Sequence, residues 1–548
     1  MIDSPKIIKF NPNEEKLICG DSDVDSWKRI PRFQAEYFAR NFLEQRGYFY
    51  PEFIEKDGIV TIVPGKKTII SKIDVEGNVP GFFKIWRRRQ TRGQPLTPKR
   101  LDRLEDWTKD QFKDRGYACP SVTTQAEADT GHVTLGIDPG LRQKIISVDE
   151  EPVEGLREGT LKRYRAFRVG DPYDRLNVQL TSRRIIYDGI LQSSYFLTKC
   201  TPEGVKLKQK SLKGAKRLLT IGVGASTEEY GILKATFKQS RIGRNGSSFL
   251  LSGRGSFRRQ RLVIQGIVYP FPFPTRWHAM PTIRVQNVNE KRYKYLTNDL
   301  WLPPAVTWDT QNTGFQLTVG PKFNLTRTEK GAQKGWTHFT SLTAMLEISS
   351  HDYEYHLADP RSGYVVGAIA QLNSDKILST VTAQKLTLRG QKLWNIAGYE
   401  RPLFILGIRG EVGTTITDSG SANFNRLPPW FLYYLGGSRS MRGFSQMQLP
   451  SQNRGALTSL YTGMELRLAN ILPLNIQPIA FVDVAAMGQK TLDLDVPGYW
   501  SPGFGVRWPS FIGVVRLTYA HGYLIKNNNP ANNNLSHWQF YFTLGEEF

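Results

Sequence analysis

In the first two hundred residues, apolar stripes at helical spacing alternate with short β-rich runs. Ala35, Phe38, Ala39 and Phe42 recur at i, i+3, i+4 and i+7, and Leu101, Leu104, Thr108 and Phe112 at i, i+3, i+7 and i+11, and each stripe predicts a helix. Thr97 is read as the N-cap of the second helix with Pro98 as its first residue, and Asp171 with Pro172 open a third in the same way. A marker closes the helices: Arg46-Gly47-Tyr48, Arg115-Gly116-Tyr117 and, without the glycine, Ser194-Tyr195-Phe196. Glycine at a helix end can adopt the left-handed C′ conformation, and the aromatic residue then begins a strand on its buried face. Runs from Ile59 to Val63 and Val133 to Ile137 follow, ended by Pro64-Gly65 and Pro139-Gly140, and the next units start with strands at Thr68 to Val75 or Lys144 to Val148. The predicted unit is strand, helix, helix, strand, strand, a small α+β module repeated with a period of roughly 70–80 residues. Open sheet edges in such arrays accept an extended chain by strand addition, with a plain spacer as the alternative. The run Arg87, Arg88 and Arg89 reads as a solvated loop rather than a lipid contact.

From about Lys216 the helical period disappears. Alternating segments separated by Gly, Asn, Asp and Pro clusters take its place, the pattern of β-hairpins. Leu219, Ile221, Val223 and Ala225 oppose Thr220, Gly222, Gly224 and Ser226. At the other end, Trp538, Phe540, Phe542 and Leu544 oppose His537, Gln539, Tyr541 and Thr543. Met464, Leu466 and Leu468 alternate with Gly463, Glu465 and Arg467, and Val482 and Val484 with Phe481 and Asp483. One face suits lipid and the other a polar lumen. A β-sandwich would also alternate, yet only closure into a barrel satisfies every backbone group in lipid. Trp430, Tyr433, Tyr434, Trp500 and Trp508 are read as interfacial girdle residues.

Composition adds limits. With 548 residues, 40% hydrophobic and 49 glycines, the chain has material for more than one domain and is not wholly disordered. No run reaches the ~18 apolar residues of a transmembrane helix, so a helical membrane protein is excluded while a β-barrel is not. The net charge of +23 favours anionic partners such as lipid headgroups, and nucleic acid has only that charge behind it. Cys19, Cys119 and Cys200 are far apart and form no C-x-x-C pair, so isolated thiols are expected rather than a disulfide framework or zinc site. Met1 to Phe10 has no signal-peptide core; export would imply a mature chain with its signal removed and a starting Met added. His351 and His356 are wrongly spaced for a helical metal pair and sit in strand-like text, and Gly222-Val223-Gly224 lacks the Lys-Ser/Thr of a phosphate loop. No enzyme, metal or cofactor is expected.

The segment Leu427 to Phe444, with Gly436-Gly437-Ser438 ahead of Arg442-Gly443-Phe444, resembles the signature loop of the BamA/TamA superfamily of outer-membrane assembly barrels. In the order of that family follow Glu465 in Met464 to Arg467, Asp483 in Phe481 to Asp483, Gly503 to Arg507 and an aromatic last strand ending on Phe548. Asp359-Pro360-Arg361-Ser362-Gly363 resembles a further family turn; Met441 and Ala485 depart from the commoner residues. The resemblance covers essentially the whole chain, loosely in its first third and specifically from Pro428 onward. It makes the repeats POTRA-like modules at 1–67, 68–141 and 142–213, followed by a transmembrane antiparallel barrel at 214–548, with the sixteen strands of the family. Three modules and this length resemble the TamA branch.

The resemblance implies that the signature loop folds back into the lumen. There Arg442 would meet Asp483 or Glu465, which alternation places on lumen-facing sides with Arg467 and Arg507; Gly443 would approach the wall and Phe444 would pack beside it. It also implies a weak seam between first and last strands, carried by Leu219, Ile221, Val223, Phe540, Phe542, Leu544 and Phe548, where a client strand pairs in a locally thinned membrane. The implied partners are unfolded outer-membrane clients including autotransporters, outer-membrane lipids and a TamB-like periplasmic protein. Rival readings are a BamA-like general insertase, a two-partner secretion pore, TamB-linked phospholipid transport, a porin and a chloroplast import barrel.

Overall fold

The computed structural model describes the chain except residues 1, 4–8, 22, 29, 57–58, 78, 81–90, 272–274, 332, 356–360, 397–402, 418–424, 451–453, 495–497, 511, 526–537 and 546–548. It separates into two compact units: Met1–Glu151 with Arg165–Ser182 and Ser194–Ser211, and Pro152–Tyr164 with Arg183–Ser193 and Leu212–Phe548.

Three small sheets occupy the N-terminal region. In each a first strand runs parallel to the middle one: Ile2–Asp3 beside Ile59–Val63, Lys72–Glu76 beside His132–Asp138, and Ile145–Asp149 beside Gly204–Leu212. The third strands are Glu52–Lys56, Ser121–Ala126 and Ser193–Thr201. Helix Arg32–Glu44 buries Ala35, Ala39 and Leu43 with Phe38 and Phe42 partly buried, and helix Pro98–Lys113 buries Leu104, Thr108 and Phe112 with Leu101 partly buried, so both predicted stripes face the cores and the first also takes in Leu43. Thr97 stands at the N-cap, but its side chain makes no capping bond. The third helix is Arg175–Tyr187; Asp174 caps it by accepting from Leu176 N at 2.8 Å, whereas Asp171 lies in the preceding turn and accepts from Arg168 N.

The helix-closing marker is a repeated backbone device. Tyr48 N donates to Leu43 O, Tyr117 N to Phe112 O and Ile190 N to Ile185 O, and the glycine just before each donor, Gly47, Gly116 or Gly189, has positive φ. The third marker is therefore Asp188-Gly189-Ile190 rather than Ser194-Tyr195-Phe196, because the backbone conformation needs the glycine and not the aromatic ring. The first two markers also join modules. Thr68 N donates to Gly47 O and Gln143 N to Gly116 O, while Lys67 sits over the Tyr48 ring and Arg142 over Tyr117 at 5.4 and 5.2 Å.

Cys119 and Cys200 form a disulfide, and Cys19 is free and exposed. This corrects the expectation of isolated thiols: spacing along the chain does not report that a loop after one helix faces the outer strand of the next sheet. Arg175 reinforces the same junction, reaching Asp114 at 2.7 Å and Asp110 at 3.0 Å. Closing a loop with a sequence separation of 81 residues stabilises by about 2–4 kcal/mol. Cys200→Ser is therefore expected to lower the urea midpoint of the N-terminal region and to open the second junction to protease while leaving the barrel's heat-resistant gel band unchanged. An unchanged midpoint and cleavage pattern would show that the ion pairs alone suffice.

The second unit is a closed antiparallel barrel of sixteen strands, running from Arg217–Ser226 to Trp538–Leu544 with neighbours in chain order. Three strands are interrupted, at 280–281, 302–303 and 522. Outward positions are largely apolar and exposed, and inward ones are polar or small except where wall residues such as Phe339, Tyr461 and Phe481 pack against the loop inside the barrel. Trp277, Trp308 and Trp394 lie outward near the end where the chain enters strand 1, and Trp336, Trp500 and Trp538 lie outward near the far end. Trp508 is half-buried, whereas Trp430, Tyr433 and Tyr434 are not girdle residues: they belong to a loop packed inside the barrel. No helix among the described residues is long and apolar enough to cross a membrane.

Two segments upstream of the barrel, Pro152–Tyr164 and Arg183–Ser193, belong to this unit. Arg163 lies 3.8 Å over the Tyr269 ring and donates to Asn245 O at 2.8 Å, and Arg184 pairs with Asp309 at 2.8 Å. These partners lie in or beside barrel turns at the near end. His351 starts a short helical turn, His351–Tyr355, rather than continuing a strand, and its Nε2 lies 3.0 Å from Thr310 O. His356, Asp359, Pro360, His537 and the Arg87–Arg89 run lie outside the described residues.

Candidate functional site

The connection after strand 11 (Phe404–Ile416) and before strand 12 (Thr458–Leu468) does not leave the barrel. A short turn, Pro429–Phe431, begins its inward path, with Leu427, Phe431, Leu432 and Leu457 buried against Phe339, Val381 and Ala383. Inward-facing wall residues hold this stretch: Lys385 Nζ donates to Trp430 O at 2.5 Å, and the Tyr433 hydroxyl lies 3.0 Å from that of Thr387. Backbone bridges Tyr433 to Ala456 and Leu435 to Leu449 draw the two limbs together. The tip then buries Met441 and Phe444 among Tyr461, Ala485, Met487 and Tyr499. An apolar tip is thus enclosed by the wall, with Arg442 at its apex.

Arg442 is 1% exposed and meets both candidate carboxylates at once. Its Nε donates to Asp483 Oδ2 at 2.7 Å and Nη2 to Oδ1 at 2.8 Å, while Nη1 donates to Glu465 Oε2 at 2.7 Å. The backbone N of Arg442 also donates to Asp483, at 3.2 Å, and the guanidinium lies 3.4 Å over the Phe481 ring. Glu465 further accepts from Arg467 Nε at 2.9 Å and from Arg516, and Tyr461 donates to Asp483 at 3.2 Å. Three buried guanidiniums and two buried carboxylates therefore compensate one another where either sign alone would be costly. Arg507, expected nearby, instead donates to Gln477 Oε1 at 3.0 Å on the neighbouring strand.

Gly443 passes against strand 15, which runs over Gly513–His521 and Tyr523–Leu524. A Cβ there would stand 2.3 Å from Gly522 N and 2.5 Å from the carbonyl carbon of His521, so only hydrogen fits. Phe444 packs edge-on to Tyr499, and its carbonyl accepts from the Tyr541 hydroxyl of the last strand at 2.7 Å. Gly437, with φ of 105°, brings the backbone onto Glu228 in the first hairpin, where Ser438 N donates to Glu228 Oε1 at 3.1 Å. Arg516, Tyr461, Phe481, Tyr541 and Glu228 were not singled out from sequence as partners of the loop. Alternation marks the inward side of the strand residues; nothing in the sequence marks Glu228.

The seam is short. Among the described residues, its ladder joins Ala225 to Leu544 and Ser226 to Thr543, extended by Thr227 N donating to Phe542 O at 3.1 Å. By contrast strand 1 pairs with strand 2 along its length, from Arg217 with Gln239 to Ser226 with Tyr230, and strand 16 pairs with strand 15 from Trp538 to Leu544. Leu219, Ile221 and Val223 are exposed on the outer face of strand 1, as is Phe540 on strand 16; Phe542 and Leu544 are half-buried, and Phe548 lies outside the described residues.

Comparison with known proteins places this architecture. The Omp85 superfamily domain matches residues 273–548. A BamA from Haemophilus ducreyi lacking POTRA domains 1-3 is similar in fold, with a TM-score of 0.55 at 17% identity over 88% of this chain and 100% of that one. CdiB from Acinetobacter baumannii gives 0.49 at 10% identity over 87% and 90% of the two chains, and CdiB from Escherichia coli gives 0.49 at 11% over 98% and 100%.

Proposed function

The chain belongs to the Omp85 superfamily, and from that premise we propose that this integral outer-membrane barrel assembles β-barrel and autotransporter clients by pairing their strands at its seam. The observation that carries the reading is the short ladder between strands 1 and 16. Backbone N–H and C=O groups without partners cost several kcal/mol each in hydrocarbon, so an opened seam is a strong template for an incoming edge strand, which supplies those partners. No covalent step is involved. The three N-terminal sheets support a TamA-like member whose modules face the periplasm, engage unfolded clients and meet a TamB-like periplasmic protein. Outer-membrane lipid around the seam is the medium in which the exchange occurs.

Locking the seam tests this reading. With Cys19→Ser to remove the free thiol, Ala225→Cys and Leu544→Cys place sulfurs on directly paired positions. In liposomes the oxidised protein is expected to fold a urea-unfolded outer-membrane client at least about tenfold more slowly than the reduced one, a barrier difference of ~1.4 kcal/mol. The unlocked parent in the same reductant controls for Cys119 and Cys200. Equal rates at complete cross-linking would remove templating at this seam, and intact ion conductance would then favour a secretion pore.

A further inference from the structure

The signature loop touches both sides of the seam from within. On one side the tip is embedded in the late strands, through Arg442 to Asp483 and Glu465 and through the Phe444 carbonyl to Tyr541. On the other, Glu228 of the first hairpin accepts from Ser438 N at 3.1 Å and from the Ser438 hydroxyl. Two further turns at the same end hold the loop: Arg258 donates to Gln446 Oε1 at 2.7 Å, and Arg292 to the carbonyls of Gln448 and Pro450. Of these turns, only the one bearing Glu228 belongs to strand 1. A small cavity lies between, at the inner face of the seam, lined by Ala225, Ser226, Glu228, Ser438, Arg516 and Leu544.

We infer that Glu228 is a positioning residue that latches strand 1 to the signature loop, so that opening the seam requires the Glu228–Ser438 contact to break first. The asymmetry of the contacts carries this. Strand 16 is bound to the loop through the buried Tyr541 and keeps a full ladder with strand 15, whereas the hydrogen bonds from the first hairpin to the loop tip run through the half-buried carboxylate of Glu228. Breaking that contact frees strand 1 with strand 2 and leaves the arginine cluster undisturbed. A client strand then enters on the strand 1 side, and closure follows when Ser438 recaptures Glu228. The inference rests on the seam-templating reading for its purpose, not for its geometry.

The test uses the full-length Cys19→Ser, Ala225→Cys, Leu544→Cys protein in liposomes and follows the rate of copper-phenanthroline cross-linking. A charge-assisted hydrogen bond is lost in Glu228→Ala, so cross-linking is expected to slow roughly tenfold, and by less in Glu228→Gln, which keeps an acceptor for Ser438 N. Ser438→Ala added to Glu228→Ala is expected to bring little further change, since the two share one contact. The heat-resistant gel band confirms a folded barrel, and Tyr541→Phe gives a second variant that loosens the opposite side while retaining the ring. Unchanged cross-linking in Glu228→Ala would overturn the latch. Slower cross-linking with unaltered client folding would keep the latch and remove templating, so the two readings fail separately.

Discussion

Arg442→Ala is expected to leave a barrel that inserts but, on the proposed function, assists client folding about two orders of magnitude more slowly, the effect of removing one partner from a buried ion pair at about 3–5 kcal/mol. Asp483 carries most of that cost. Glu465 retains Arg467 and Arg516, whereas among the described residues Asp483 keeps the backbone N of position 442 and the Tyr461 hydroxyl, both at 3.2 Å, and Arg409 at 3.9 Å. The tip responds by leaving the wall, which trypsin reports by cleavage after the exposed Arg439. Arg442→Lys is expected to rescue little, because an ammonium cannot reproduce the two-point fork on Asp483 while also reaching Glu465. In Arg442→Ala with Asp483→Ala the loss is expected to be smaller than the sum of the single losses, since neither member of this pair is left buried without the other. A normal folding rate for Arg442→Ala would mean that loop seating is not required for assembly.

Gly443→Ala reaches the same endpoint by shape alone. The added methyl would lie within 2.5 Å of main-chain atoms of Gly522 and His521, and no rotamer can relieve a clash between Cβ and backbone. Overpacking of this kind costs about 1–3 kcal/mol or more, so client folding is expected to slow by roughly tenfold to a hundredfold with every charge retained. The pair of variants separates charge from geometry. A severe Arg442→Ala with a silent Gly443→Ala would place the requirement in the ion cluster, and the reverse would place it in close approach of the loop to strand 15. The disulfide and seam-locking measurements probe other parts of the chain and are independent of both outcomes.

Much of the fold was legible because it rests on periodicity. Helical stripes around Ala39 and Leu104 and the two-residue alternation around Glu465 and Asp483 are properties of consecutive residues, and the structure buries those faces. The alternation also set Tyr541 on the inner face, and the tripeptide Arg442 to Phe444 stood out as a unit. Failures arose where local signals met longer-range constraints. Trp430, Tyr433 and Tyr434 look like girdle aromatics in one dimension; a loop that turns inward gives them protein neighbours instead of lipid. The third helix-closing marker was assigned by its aromatic ring, although the conserved element of geometry is the positive φ that Gly189 supplies.

The sequence by itself determined which residues alternate, where the first two marked helices close, and that one arginine-bearing loop and two inward carboxylates belong to one barrel. Only the tertiary structure decided who meets whom. Cys119 and Cys200 lie 81 residues apart, Arg442 and Asp483 are separated by 41, and Glu228 and Ser438 by 210. Separations of this size leave no local trace, because a chain's short-range preferences fix the face on which a side chain lies, whereas its partner is set by the closure of the barrel and the folding of the loop into it.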